Sequence, residues 1–311
     1  MENIWQYLGF KDPVREEKKT VHLALESEKL NPTQRNRMQK AGYLSEKLDG
    51  VYALVTFVNG EVRHWGRSGK ALSNCEGLDL KIEVKLNGVA EGLVFISEIT
   101  SLDPLAKLSG YLTPSRVKQG TFKPTSMKDN FHDLLTLEEF IQGVSPRSFG
   151  NRQWNLRNMY PYTVEQYKLT FDDARDVSRE MIADGLEGGV YAQDVPWIAG
   201  KRDESLIKFK EKLSFDLVVV EGLPGKKGSK YEHTLGKLVV LFKAFGKQDG
   251  DSLEIPISGM SDSERDLWWK DPSSILGKIV KVDAKSYTEN GNLREPRFKE
   301  VREDKSTGDF E

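Results

Sequence analysis

A change of texture at Lys212 constrains this chain more than any other feature. Beyond it the sequence breaks into short β-rich runs: Phe215 to Glu221, Leu235 to Phe242, Leu253 to Ile257 and Lys278 to Tyr287. Glycines and charged turns separate them. A series of roughly five short strands in about 100 residues suits a small β-barrel such as an OB-fold. A chain of 311 residues accommodates one large or two modest domains. The expectation is therefore two, residues 1–212 and 213–311, with the boundary near Lys212.

The first part reads as a mixture of antiparallel sheet and helix. Leu44 to Val62 is a strand, an Asn59-Gly60 turn and a second strand, a strong short-range hairpin signal. Residues 89–99 read as another strand. Asn31-Pro32-Thr33 starts a short helix that runs towards Lys40. Residues 100–130, with Pro104, Pro114 and Pro124, form a loop-rich stretch with room for one short helix. From 163 to 184, Val164, Tyr167, Phe171 and Ala174 recur at helical spacing, with Thr163 as the cap and Gln166 three residues on. The fold class expected is α+β.

Composition removes several function classes. Hydrophobic residues make up 38% of the chain, enough for real cores, and the mean hydropathy is −0.54. No apolar run approaches membrane-spanning length. Met1 to Phe10 has neither a basic start nor an apolar centre, so no secretory signal is expected. A single cysteine, Cys75, excludes an internal disulfide and any multi-cysteine zinc site. His22, His64, His132 and His233 show no metal-ligand spacing. Cytosolic residence is the default. The net charge of −2 announces no nucleic-acid partner, although one basic face remains compatible with it. Gly225-Lys226-Lys227-Gly228-Ser229-Lys230 is the clearest local patch, either a solvated loop or a phosphate contact.

Chemistry enters at Ser45-Glu46-Lys47-Leu48-Asp49-Gly50. A lysine held at a strand beside an acid is a candidate covalent nucleophile, although a solvated hairpin edge produces the same tetrapeptide. Downstream, in order, come Trp65-Gly66-Arg67-Ser68-Gly69-Lys70, Phe95-Ile96-Ser97-Glu98-Ile99, Glu187-Gly188-Gly189-Val190 and Ser205-Leu206-Ile207-Lys208-Phe209-Lys210. Leu293-Arg294-Glu295-Pro296-Arg297-Phe298 leads to Val301-Arg302-Glu303-Asp304-Lys305. Each has an ordinary reading. Arg67 can be a solvated turn residue, Glu187-Gly188-Gly189 a helix stop, and Lys208 and Lys210 an exposed strand face. Glu98 is the odd one, an acid on an apolar strand that needs a partner.

Taken together, the series resembles the covalent nucleotidyltransferase superfamily of ATP-dependent DNA ligases, RNA ligases and mRNA capping enzymes. It spans roughly Leu44 to Lys305, and its closing segment is most similar to that of small virus- and phage-type ATP-dependent DNA ligases. The resemblance implies an adenylation domain followed by an OB-fold domain. It implies that Lys47 takes AMP from ATP, with Asp49 and Gly50 completing the motif. Arg67 would contact the ribose and the 5′-phosphate side of a nick, and Glu98 a ribose hydroxyl. Glu187 would hold the catalytic Mg2+, and Lys208 and Lys210 would neutralise the α-phosphate. Phe131, in Phe131-His132-Asp133-Leu134-Leu135, would stack on adenine. Arg302, Asp304 and Lys305 would reach the pyrophosphate. Nicked duplex DNA would be gripped by Arg67, Lys226, Lys227, Lys230, Arg294 and Arg297. A monomer with no membrane association is implied.

Two positions depart from the pattern. Tyr52 stands where the first motif usually ends in arginine, and Ile96 where the third usually begins with an acid. An RNA ligase or a capping guanylyltransferase is the alternative. The Arg294-x-Pro296-Arg297-Phe298 run favours DNA ligase over both. NAD is not expected, since NAD-type ligases carry a four-cysteine zinc module.

Overall fold

The computed structural model describes residues 3–10, 19–38, 40–78, 81–82, 90–115, 123–160, 163–210, 213–243, 252–288 and 291–310. Two compact units divide the chain, Met1–Lys210 and Glu211–Glu311. Lys212, where the sequence changes texture, lies outside the described residues.

The first unit contains β1 (Leu25–Glu26), β2 (Gly42–Glu46), β3 (Val51–Val58), β4 (Glu61–Trp65), β5 (Leu93–Thr100), β6 (Lys128–Thr136), β7 (Val144–Ser145), β8 (Tyr167–Leu169), β9 (Gly188–Ala192), β10 (Trp197–Ile198) and β11 (Leu206–Lys210). One sheet has the order β4-β3-β5-β6, a second β1-β11-β9-β2-β8, and β10 pairs with β7. All these pairings are antiparallel except β1 with β11.

β3 shows why the first sheet forms. Its sequence, Val-Tyr-Ala-Leu-Val-Thr-Phe-Val, is rich in β-branched and aromatic residues. Ala53, Val55 and Phe57 enter one buried cluster with Phe95 and Phe131. Leu54, between them, enters another with Trp65, Val94 and Leu135. Alternation at period two thus feeds two cores, one on each face. The turn to β4 uses Asn59 at φ 57 and Gly60 at φ 74, the backbone that a two-residue hairpin requires.

The helix expected over 163–184 is shorter than its spacing suggested. It spans Phe171–Ala183, capped by Thr170, whose hydroxyl accepts from the Asp173 amide. Tyr167 is not helical. It lies on β8, which pairs with β2 through Gly42↔Leu169. Thr170 followed three residues later by Asp173 is a better start signal than Thr163, because the acid also meets the cap hydroxyl at 2.7 Å. The loop-rich stretch does hold one short helix, Leu105–Leu112.

The second unit contains β12 (Leu213–Pro224), β13 (Leu235–Lys243), β14 (Ser252–Ile257), β15 (Ile279–Ala284), β16 (Ser286–Tyr287), β17 (Leu293–Arg294) and β18 (Arg297–Val301). Five form one antiparallel sheet, β14-β13-β12-β15-β18. β12 serves two partners. Leu213 to Val218 pairs with β15, and the portion from Val219 pairs with β13. Among the described residues the ladders do not close into a barrel. The outer strands meet at one bridge, Ser258↔Arg297. Leu217, Val240, Phe242, Ile257, Val280, Val282 and Phe298 fill the core. A helix, Asp262–Lys270, lies among the β-runs, and Ser261 and Glu264 cap it reciprocally. Among the described residues no helix is long and apolar enough to cross a membrane.

Candidate active site

Lys47 directly follows β2. Its backbone N–H donates to the Gly188 carbonyl at 2.8 Å. Its Nζ lies 2.5 Å from Glu187 Oε2. Two motifs 140 residues apart (187 minus 47) therefore meet in one ion pair. The glycines after Glu187 make this approach possible. A Cβ on Gly188, whose φ is +119, would strike the Phe209 carbonyl, and one on Gly189 would lie 2.7 Å from Leu44 Cδ1. The preceding helix ends at Ala183, with Gly185 at φ +88 just beyond it. The helix stop is thus Gly185, and Gly188-Gly189 serves strand packing.

Gly50 draws the Lys47 segment against β5. A Cβ there would meet the Ile99 carbonyl oxygen and come within 2.8 Å of Glu98 Cγ. Glu98 lies on β5 opposite Tyr52 of β3. Burial pushes its carboxyl up to about 7, against the pull of Arg67 and Lys47 and with a further push from Glu187 and Asp49. All five groups therefore share one electrostatic neighbourhood. Arg67 follows β4 and its carbonyl accepts from the Thr20 hydroxyl at 2.7 Å. Its guanidinium sits 5.3 Å from the Tyr52 ring centroid, within cation–π range. The tyrosine at the unusual position thus packs on the neighbouring motif's arginine.

Lys208 and Lys210 lie on β11 beside Glu26 of β1. Each Nζ is 3.6 Å from Glu26 Oε1, and Lys29 meets the other oxygen at 2.9 Å. The hydrogen bond from Lys29, helped by Lys210 and Lys208, holds the Glu26 carboxyl down at about 2. Burial, then Lys210, lowers the Lys208 ammonium. Sequence reasoning missed Glu26. Its only signal would have been the parallel register Glu26↔Lys208, which is not visible locally.

Phe131 is placed differently from its expected role. It is fully buried, with ring centroids 4.9 Å from both Phe95 and Tyr160. A side chain with no exposed surface, packed against two other rings, belongs to the core and presents no face to a base. Its neighbours His132 and Asp133 instead line a cavity with Tyr52, Arg152 and Trp197. The Tyr52 hydroxyl and Trp197 Nε1, both buried, have no hydrogen-bond partner among the described residues. Arg152 forks onto Asp133 at 2.9 and 3.1 Å.

In the second unit, Arg302 donates to Asp304 at 2.9 and 2.7 Å and to Asp216 at 3.0 and 2.8 Å. Lys305 also contacts Asp216. Lys226, Lys227 and Lys230 are exposed, but the loop that carries them is not simply solvated. Lys230 meets Asp262 at 2.6 Å, the Tyr231 hydroxyl donates to Asp262 at 3.1 Å, and Arg265 lies 4.2 Å from the Tyr231 ring centroid. Arg297 donates to the Ser258 hydroxyl at 2.7 Å. Arg294 lies on β17, paired with Ser286.

The described residues include no group of three His, Cys, Asp or Glu side chains that could hold a metal. Mg2+ needs no such cage, since it is commonly held by one or two carboxylates together with substrate phosphates. Glu187 fits a site of that shared kind.

No model of a known protein family matches this chain, and no curated protein matches it. Solved structures do. A structure titled Pmar-Lig_Pre aligns with a TM-score of 0.75 at 23% identity, covering 92% of this chain and 68% of that one. A Lig E DNA ligase aligns at 0.64 and 19%, covering 91% and 99%. The ATP-dependent DNA ligase of bacteriophage T7, in complex with ATP, aligns at 0.50 and 16%, covering 92% and 99%. The fold of this chain is therefore the fold of these structures, two of which are DNA ligases.

Proposed function

We propose that this chain is an ATP-dependent DNA ligase that seals nicks with a 5′-phosphate and a 3′-hydroxyl in duplex DNA. The observation that carries the reading is the contact of Lys47 with Glu187, with the Lys208–Lys210 pair on the same sheet, in a fold shared with DNA ligases. In this reading residues 1–212 form the adenylation domain and 213–311 an OB-type domain. The doubly paired β12 and the Ser258–Arg297 bridge support the latter.

Catalysis proceeds in three transfers. The Lys47 ammonium releases a proton to water and its Nζ attacks the α-phosphorus of ATP. The N–P bond forms, the bond to the bridging oxygen breaks, and pyrophosphate leaves. Lys208 and Lys210 neutralise the α-phosphate, exchanging Glu26 for it. Glu98, when ionised, accepts from a ribose hydroxyl. The segment that carries Arg302, Asp304 and Lys305 serves the pyrophosphate. Mg2+, held by Glu187, supplies charge neutralisation on the triphosphate when bound. An oxygen of the nick's 5′-phosphate then attacks the adenylate phosphorus, with Arg67 on that side; the P–O bond forms, the N–P bond breaks and the Lys47 amine is released. The 3′-hydroxyl finally attacks and expels AMP. Lys226, Lys227, Lys230, Arg294 and Arg297 hold the duplex backbone, which carries no sequence information. The protein acts as a cytoplasmic monomer of phage type.

The test is the nucleotide left on denatured protein. Incubation with α-labelled ATP labels the wild type and not Lys47→Ala, which still joins pre-adenylated nicks. Label from GTP in place of ATP would make the chain a capping enzyme. Parallel sealing of all-DNA, all-RNA and hybrid nicks decides the polymer, and faster sealing of RNA would overturn the DNA assignment.

A further inference from the structure

The stretch Val301-Arg302-Glu303-Asp304-Lys305 carries two cations, Arg302 and Lys305, and both are already paired with carboxylates. Arg302 makes four hydrogen bonds to carboxylate oxygens, two to Asp304 and two to Asp216. A guanidinium has five N–H donors, so little of Arg302 remains for another anion. Lys305 shares Asp216. Asp304 is exposed and adjacent in sequence, whereas Asp216 is a buried residue on a different element, β12. A buried carboxylate is costly unless cations surround it, and here the closing segment provides them.

Asp216 is itself pinned. Its backbone N–H donates to Asp309 Oδ2 at 2.7 Å, and its carbonyl accepts from the Asp309 N–H at 2.8 Å. Phe310 then packs on Phe215 and Phe242, with centroids 5.7 and 5.2 Å away. The Arg302 N–H donates to the Ile279 carbonyl at 2.8 Å. The segment from Arg302 to Phe310 is thus tied to the sheet on both sides of Asp216.

We infer that Asp216 is a positioning residue for the first transfer. It holds Arg302 as a strut and sets the place of Lys305, the cation free to turn to the pyrophosphate once that anion competes with Asp216. This rests on the proposed ligase reading. A lysine contributes as a compact point charge on a mobile stem, whereas a forked arginine is committed to its planar partners. Exchange is therefore assigned to Lys305 and scaffolding to Arg302.

The test compares Asp216→Asn and Asp216→Glu with the wild type. The first keeps the shape and removes the charge, and the second keeps the charge and displaces it by one methylene. Misplacement of a catalytic group by about 1 Å costs about 100-fold in rate. We expect both variants to lose that order in the rate of label transfer from ATP, with the KM for ATP little changed. Sealing of pre-adenylated nicks stays at the wild-type rate. Adding Asp216→Asn to Arg302→Ala/Lys305→Ala slows transfer no further, because Asp216 acts only through those two. Thermal unfolding identifies a variant that has lost its fold, and the Glu variant guards against that outcome. Wild-type label transfer in both variants, equal loss in both reactions, or a further loss on the double background overturns the inference. If the wild type itself takes no label, the ligase reading fails instead.

Discussion

Glu98 lets the electrostatics of the site be tested without any substrate. Its carboxyl is pushed from 4.5 up to about 7, chiefly by burial. The folded protein therefore holds a proton there between those values while the unfolded chain releases it. Stability falls with rising pH wherever the native state binds more protons. The loss begins near 4.5 and is complete above about 7. At about 1.4 kcal/mol per pH unit, the full difference is about 3 kcal/mol. Glu98→Gln removes the titration and keeps the shape. Urea unfolding of both proteins at pH 5 and pH 8 is the assay. At pH 5 the two have similar stability. At pH 8 the variant is the more stable by about 3 kcal/mol. Parallel pH dependence in the two proteins would refute the assignment. Because Glu187 contributes to the push, Glu187→Gln draws the same transition to lower pH.

Three other perturbations follow from contacts in the structure. Gly50→Ala places a Cβ against the Ile99 carbonyl, so it loses about 1–3 kcal/mol and label transfer together, whereas Gly60→Ala, at φ +74 in open space, loses about 1–2 kcal/mol with transfer intact; unfolding and labelling of both variants check this. Arg152→Ala or Asp133→Ala strands one charge of a buried pair and costs about 3–5 kcal/mol, while the double variant costs less than the sum, as measured by urea unfolding. Lys226→Ala with Lys227→Ala lowers the slope of log affinity against log salt for nicked duplex by about 2 and leaves label transfer unchanged; an unaltered slope would show that these two lysines make no phosphate contact.

Local chemistry was legible where the signal is short in range. The Asn59-Gly60 turn, the alternation of β3 and the β-runs beyond Lys212 are written in adjacent residues. Lys47, Glu187, Lys208 and Lys210 stood out through the order of their motifs, and the structure sets Lys47 against Glu187 and puts the two lysines on a strand of the same sheet. The helix Asp262–Lys270 was equally accessible through its Ser261–Glu264 capping pair, but surrounding β-runs masked it. The start of the helix Phe171–Ala183 was misread because Tyr167 continues its spacing while belonging to an edge strand.

Tertiary structure decided what the motifs touch. Phe131 sits on a strand with buried residues on both faces, so alternation cannot say which face meets a ligand, and the irregularity opposite Ile96 and Ser97 shifts the register further. Glu26 reaches the lysine pair through a parallel pairing across about 180 residues (208 minus 26). Asp216 meets Arg302 only because β12 and β18 flank the same strand. The sequence by itself determined which chemical groups are present and how each local segment bends, because propensity and turn geometry act over a few residues. Which acids confront which cations was left to sheet order and register, because ion pairs form between groups that burial and backbone pairing bring within a few ångströms, wherever they stand in the chain.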